Sequence, residues 1–447
     1  MEDQRTPGGD DVEPPTPLHR GRMLGLMGGA AAVTLPGLLA RLGGVHPGDI
    51  VGVVIFGLAI VGAAFILAWA AEALQLDVSQ GLALAVLALI AVLPEYVVDF
   101  TFAAKAGENP EKYAPLALAN MTGSNRLLIG VGWSAVVLIA AWRVTRISRR
   151  QGYEGPVDTE VRLDRSHSIE IAFLAVATLY SLTLPLKHNL TLFDAGVLIL
   201  LFVLYGFRVT KTPAETPHLV GPARLLGEMP DTKRRIAVAS LLCYSAAVIV
   251  ACAEPFAESL VHTGEQFGVS TFLLVQWLAP LASEAPELLV ACLFAWRLNT
   301  NGGLGTLVSS KVNQWTLLVG SLPIVFVVFG GARSGLPLDS LQREELFLTA
   351  AQSAFAVAIL ANRSISVKEA LGLFGLFISQ FVLGAALPEG AREWERIGVG
   401  FIYLILAAVI VLRDARPARR LLHDGFRAST DELIHEDVVP GSGSDER

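Results

Sequence analysis

Charge is scarce in this chain: 17% of its 447 residues are Asp, Glu, Lys or Arg, against roughly a quarter in a soluble domain. Cysteine is scarcer still. Cys243, Cys252 and Cys292 all lie in apolar segments without metal-ligand spacing, which argues against a disulfide framework and against a thiolate metal site. Missing too are a helical HExxH motif, a Gly-rich phosphate loop and a nucleophile paired with a base, the usual marks of an intramembrane enzyme. The net charge of -7 is spread over tails and loops and points to neither nucleic acid nor an acidic substrate. What the chain has is apolar sequence: 53% of residues are hydrophobic, with a mean hydropathy of +0.54. A bilayer core about 30 Å thick needs about 20 such residues per helical span, and stretches of that kind recur along the whole chain.

The sequence therefore reads as an all-α polytopic membrane protein. Apolar runs place spans near 23–43, 50–75, 82–104, 114–142, 169–186, 190–208, 236–262, 271–296, 304–330, 345–361, 369–388 and 396–412. The runs at 114–142 and 304–330 exceed the bilayer thickness and must tilt, kink or protrude. Residues 1–22, rich in Pro, Gly and acids, and residues 413–447, ending in PGSGSDER, read as disordered tails. The run from Met23 lacks a convincing cleavage site and is read as an uncleaved span rather than a signal peptide. Arginine and lysine crowd the 143–168 loop, the 208–235 loop and the start of the C-terminal tail. All three fall on one side of a twelve-span count, so that side and both termini are expected in the cytoplasm of a cell bounded by a plasma (inner) membrane.

The more telling feature is internal similarity. LALIAVLPEYVVDF, followed after a gap by LANMTGSNRLLIGVG, has a counterpart in QWLAPLASEAPELLVA, followed by LGTLVSSKVNQWTLLVG. Each half offers an apolar helix interrupted at Pro-Glu, then a small-residue segment with Ser and Asn that enters another apolar helix. By the span count the two Pro-Glu helices cross in opposite senses, the inverted arrangement of many secondary transporters. A first repeat is expected over 50–208 and a second over 236–388, joined by a cytoplasmic loop at 209–235, with 23–43 and 396–412 as extra spans.

An ionised carboxylate at the centre of a membrane helix costs on the order of 3 kcal/mol even on the gentlest scale, so it needs a partner or a cation. Glu95 and Asp99 are four apart and share one helix face; Glu284 and Glu287 are three apart and share another. Pro94 and Pro286 each free a backbone carbonyl one turn earlier. Hydroxyls and amides come from Asn120, Thr122, Ser124 and Asn125 in the first half, and from Thr306, Ser309, Ser310, Asn313 and Gln314 in the second. Such oxygens suit sodium or calcium ions. Small-residue segments also serve close helix packing alone, but their pairing with Pro-Glu, twice, favours a site.

On the elements LPE with NMTGSN, and SEAPE with GTLVSSKVNQ, the sequence resembles the sodium/calcium exchanger (cation/calcium antiporter) superfamily from residue 50 to about 390. The resemblance implies a ten-helix core, Glu95 and Glu287 as the central cation carboxylates, Ser124 and Ser310 as flanking ligands, and alternating access around a fixed site. The expected activity is antiport of Ca2+ or Na+ against Na+ or H+, with an intramembrane metal-dependent enzyme or a cation channel as alternatives. No cofactor is expected, the ions being cargo. Departures matter as well. Ala91 and Val92 stand where the resembled family has hydroxyls, and Leu128 stands where it has a polar ligand, matched by Gln314 in the second half. Asp99, Glu284, Ser283 and Asn313 join the candidate ligands, beside Asn125 and Gln314. Arg126 lies about 200° round the helix from Ser124 and is expected to point elsewhere, whereas Lys311, about 100° from Ser310, is within reach of an acid. Glu72, Glu254, Glu258 and His262 lie nearer span ends, in access pathways or at wet interfaces.

Overall fold

A computed structural model describes residues 17–77, 93–153, 155–211, 219, 221–268, 270–428 and 432–433. Ala91, Val92, the rest of 82–92 and the terminal stretches 1–16 and 434–447 lie outside these described residues. Among the described residues the regular structure is all helical apart from four two-residue strands. Helix α1 is Pro17–Leu42. The first repeat follows as α2 (Asp49–Leu74), α3 (Leu93–Glu108), α4 (Pro110–Leu127), α5 (Ser134–Arg150), α6 (Ser168–Ser181) and α7 (Leu192–Val209). A five-residue helical turn, Ala223–Gly227, leads to the second repeat: α8 (Asp231–Phe267), α9 (Thr271–Trp296), α10 (Thr300–Asn313), α11 (Val319–Val328), α12 (Ser340–Ile359) and α13 (Val367–Ala386). Helices α14 (Glu389–Arg413) and α15 (Arg416–Phe426) end the chain.

Ten helical stretches among the described residues are long and apolar enough to cross a membrane, and the bent α9 brings the number to eleven. The remaining expected span, at 82–104, lies partly outside the described residues. Lipid-facing surface is visible as apolar stripes: on α7, Leu200, Val203, Leu204 and Phe207 are exposed at helical spacing. The two over-long runs are single stretches, Pro110–Arg150 and Thr300–Val328. Each contains a π-helical turn, Leu128–Trp133 in the first and Gln314–Leu318 in the second. Leu128 and Gln314, each four residues past the repeat's serine, begin these turns. Wide turns of this kind re-aim side chains and gather at functional sites.

The ladders show the inversion directly. Strand β1 (Val161–Arg162) precedes α6, β2 (Asn189–Leu190) follows it, β3 (Leu336–Pro337) precedes α12 and β4 (Ser364–Ile365) follows it. β1 pairs antiparallel with β4, Val161 opposite Ile365, and β2 pairs antiparallel with β3, Asn189 opposite Pro337. The start of α6 is thus tied to the end of α12 and its end to the start of α12, so equivalent helices run in opposite directions. Local sequence launches the helices from these ties. Thr191 with Asp194, Asp339 with Gln342, and Ser366 with Glu369 form reciprocal capping boxes at the starts of α7, α12 and α13.

Two tail boundaries differ from the sequence reading. The stretch expected to be disordered through residue 22 is helical from Pro17, a residue suited to a first helical turn, and Arg20 pairs with Glu228 at 2.7 Å. The C-terminal tail forms α15, which folds back on α6. Arg165 grips Asp424 with two 2.9 Å bonds, Phe426 packs on Phe173, and Arg208 donates to the carbonyls of Gly425 and Ala428. The charge of this segment had read as solvation; Leu421 and Asp424 bind it to the helices.

Candidate cation site

Four elements meet where the two halves cross. Helix α9 bends by 56° between Ala285 and Glu287, as expected at a proline that cannot donate to the helix ladder. Its two acids therefore leave successive segments. Helix α3 brings Glu95 and Asp99 on one face, both buried. Helices α4 and α10 supply Ser124 and Ser310. Close approach of α4 to α9 depends on Gly123, where a Cβ would stand 1.8 Å from the Gln276 carbonyl oxygen.

The carboxylates form a row. Glu284 interacts with both Glu95 and Glu287. Gln314 Nε2 donates to Glu284 Oε1 at 2.9 Å and reaches Glu95 Oε2 at 3.4 Å. At the other end Ser310 donates to Glu287 Oε2 at 3.1 Å. Ser124 stands beside Glu95. Glu95, Asp99, Glu284, Ser124 and Gln314 are buried, whereas Glu287 is half-buried. Asp99 accepts from Asn120 Nδ2 at 2.8 Å. Much oxygen capacity stays unused: Glu95 Oε1, Glu284 Oε2, Asp99 Oδ2, Ser124 Oγ, Asn120 Oδ1 and Gln314 Oε1 are buried without a hydrogen-bond partner among the described residues. Buried polar atoms are otherwise almost always satisfied. Like charges in such a row repel unless a cation or protons sit among them. No three His, Cys, Asp or Glu side chains among the described residues gather tightly enough to hold a metal unaided, so hydroxyl and amide oxygens have to complete any shell.

Other candidate residues are engaged differently. Lys311 is buried, and its Nζ lies 2.6 Å from both the backbone oxygen and Oδ1 of Asn125. It attracts Glu95 and Glu284 without touching either. Asn125 also donates to the Met121 carbonyl, so its side chain ties the ammonium to its own helix. Asn313 accepts from the Tyr96 hydroxyl at 2.9 Å, and Ser283 donates to backbone carbonyls of its own helix. Arg126 points away, toward Glu345 at 3.0 Å and Gln380 at 3.2 Å. Glu345, Gln352 and Gln380 went unnamed at the level of sequence. Their signal was there: Gln342, Glu345, Thr349 and Gln352 are a buried polar stripe at helical spacing on α12. The acids nearer the span ends are ion-paired or placed at rims. Lys105 bridges Glu258 at 2.8 Å and Glu254 at 3.5 Å, Glu254 also meets Arg41 at 3.0 Å, and His262 faces Asp49 at 3.4 Å. Glu72 is half-buried near the end of α2.

The sodium/calcium exchanger protein profile matches residues 49–211 and 237–384, most of both repeats. The chain belongs to the sodium/calcium exchanger family. This exchanger is similar to a crystal structure of the H+/Ca2+ exchanger CAX, with 40% identity over 94% of this chain and 99% of that one and a TM-score of 0.81. It shares its fold with the structure of native YfkE, at 14% identity over 86% of this chain and 100% of that one, TM-score 0.57. Comparison with curated proteins gives no match. The exchanger is accordingly a multi-pass membrane cation antiporter with inverted repeats, a transporter and not an enzyme.

Proposed function

We propose that the exchanger moves Ca2+ against protons, with Glu95, Glu284 and Glu287 as the shared site and Ser124, Ser310, Gln314 and Asp99 around it. The observation that carries this reading is the row of buried carboxylates whose oxygens Glu95 Oε1 and Glu284 Oε2 have no hydrogen-bond partner among the described residues. Hard divalent ions take six to eight such oxygens. One Ca2+ or two protons neutralise the same pair of carboxylates, so the two cargoes compete for one place. Exchange follows from that competition: the empty charged row is costly to move through a low-dielectric layer, and either loaded form is not. Access then alternates between the two faces around a fixed site. The 40% identical relative that bears the name of a H+/Ca2+ exchanger supports this pair of ions.

The arginine-rich loops at 143–168 and 208–235 support a plasma (inner) membrane orientation with both termini cytoplasmic. Reconstituted vesicles test the proposal. An imposed pH gradient should drive Ca2+ uptake, and Glu95→Gln with Glu287→Gln should abolish it. Uptake that follows a Na+ gradient and ignores pH would overturn the counter-ion; uptake that survives the double substitution would overturn the site.

A further inference from the structure

Helix α5 ends with Arg143, Arg146, Arg149 and Arg150, and among the described residues none of the four is paired with an acid. The neighbouring acids Asp158 and Glu160 are taken by Arg162, at 3.3 and 2.9 Å. Two adjoining cavities of about 600 and 680 Å³ open at this helix end and share Thr145 and Arg149. The smaller is also lined by Gly152, Tyr153 and Pro156. The larger is lined along α5 by the apolar Leu138, Ala141 and Trp142 and then, toward the helix end, by Arg146, Arg149 and Arg150, with Val367 of α13.

Its depth follows from the tryptophans. Trp142 is 48% exposed and stacks on Trp296 with ring centres 5.4 Å apart. The Arg146 guanidinium lies 4.9 Å from the Trp142 ring and that of Arg143 lies 5.0 Å from the Trp296 ring. Paired Trp and Arg at the end of a spanning helix mark headgroup level, and Leu138, one turn further in, marks the start of the hydrocarbon. Arginines at a helix end also suit the helix dipole and orient the chain, but neither role calls for a cavity or for an apolar wall beside the charges.

We propose that this pocket binds an anionic phospholipid, its phosphate held by Arg146, Arg149 and Arg150 and its acyl chain laid along Leu138, Ala141 and Trp142. Basic pockets between spanning helices recognise such headgroups, and a free phosphate would engage only the arginine end.

Titration of the detergent-solubilised full chain with phosphatidylglycerol carrying brominated acyl chains reads binding as quenching of Trp142, isolated by subtracting the Trp142→Phe protein. Wild type should be quenched by brominated phosphatidylglycerol and not by brominated phosphatidylcholine, and inorganic phosphate at matched concentration should fail to displace the lipid. At about 1 kcal/mol per basic residue near an anionic surface, Arg146→Gln, Arg149→Gln and Arg150→Gln together should weaken binding by about two orders of magnitude, and the corresponding lysine triple by only a few-fold. If the glutamine triple does not fold, Arg149→Gln alone should weaken it about five-fold. Equal quenching by the two lipids, or unchanged binding in the glutamine variants, overturns the proposal. Displacement by inorganic phosphate overturns the lipid as the ligand.

Discussion

Glu345→Gln should destabilise the exchanger far more than its distance from the carboxylate row suggests. Glu345 and Arg126 are 5% and 1% exposed, and their charged atoms lie 3.0 Å apart. The contact is not aligned as a hydrogen bond, since Arg126 Nη2 and Glu345 Oε2 each lack one, so its worth is mainly Coulombic. Removing one partner leaves a buried guanidinium, which costs about 3–5 kcal/mol. Gln380, accepting at 3.2 Å, and the Trp277 ring at 5.1 Å retain part of the stabilisation, which puts the expected loss near the lower end, about 3 kcal/mol. For a chain of this length that corresponds to a fall in unfolding midpoint on the order of 3 °C. A thiol-reactive dye reads the transition in detergent, because buried Cys252 reacts only on unfolding while exposed Cys243 sets the starting signal. The double variant Arg126→Met with Glu345→Gln should recover most of the loss, because neutral groups of similar volume often replace a buried pair at little cost. A Glu345→Gln protein melting with wild type, or a double variant whose loss is the sum of the single losses, would refute the argument that the pair is coupled.

Gln314→Leu, which gives the second repeat the residue that Leu128 supplies in the first, removes the donor to Glu284 and Glu95; hydrogen bonds to charged groups are worth about 1.5–3 kcal/mol, so apparent Ca2+ affinity in vesicle uptake should fall about ten-fold or more. Gly123→Ala forces a Cβ against the Gln276 carbonyl, and folded yield by size-exclusion chromatography should drop sharply, whereas Gly196→Ala, where a Cβ meets nothing within 4 Å, should express normally. Outside the spans, the Arg234 guanidinium, aided by Arg235, holds the Asp77 carboxyl well below its usual range, at about 2. A lowered carboxyl contributes stability above its unfolded value of 3.8 that is lost as pH falls toward about 2. The gap in melting midpoint between wild type and Arg234→Gln should therefore close over that window, and a gap constant with pH would contradict it.

The membrane class, the duplicated Pro-Glu elements and the opposite sense of the repeats were legible in sequence because each rests on local pattern: apolar length, proline, and the cost of a carboxylate in hydrocarbon. What a side chain touches across the fold was harder to read. Asn125 is a candidate ligand as an amide of the small-residue segment, but its contact with Lys311, 186 residues further along, was not legible. Arg126 could be turned away from Ser124 by helix geometry alone, but its partner Glu345 lies near the start of a span in the other repeat and was missed. Helix α15 was missed for a related reason. Its arginines dominate its composition, while the features that dock it, Asp424, Leu421 and Phe426, are single residues with distant partners.

The ladders that tie α6 to α12 also bear on how the protein is made. The Ser364 hydroxyl, on β4, meets Glu160, next to β1, across 204 residues of chain. As the first repeat enters the membrane, the edges of β1 and β2 have no strand to pair with, and they stay open until most of the second repeat has been synthesised. Each repeat supplies the template on which the other closes. Polypeptides severed in the segment between α7 and α8 would have to find one another before either could finish its fold.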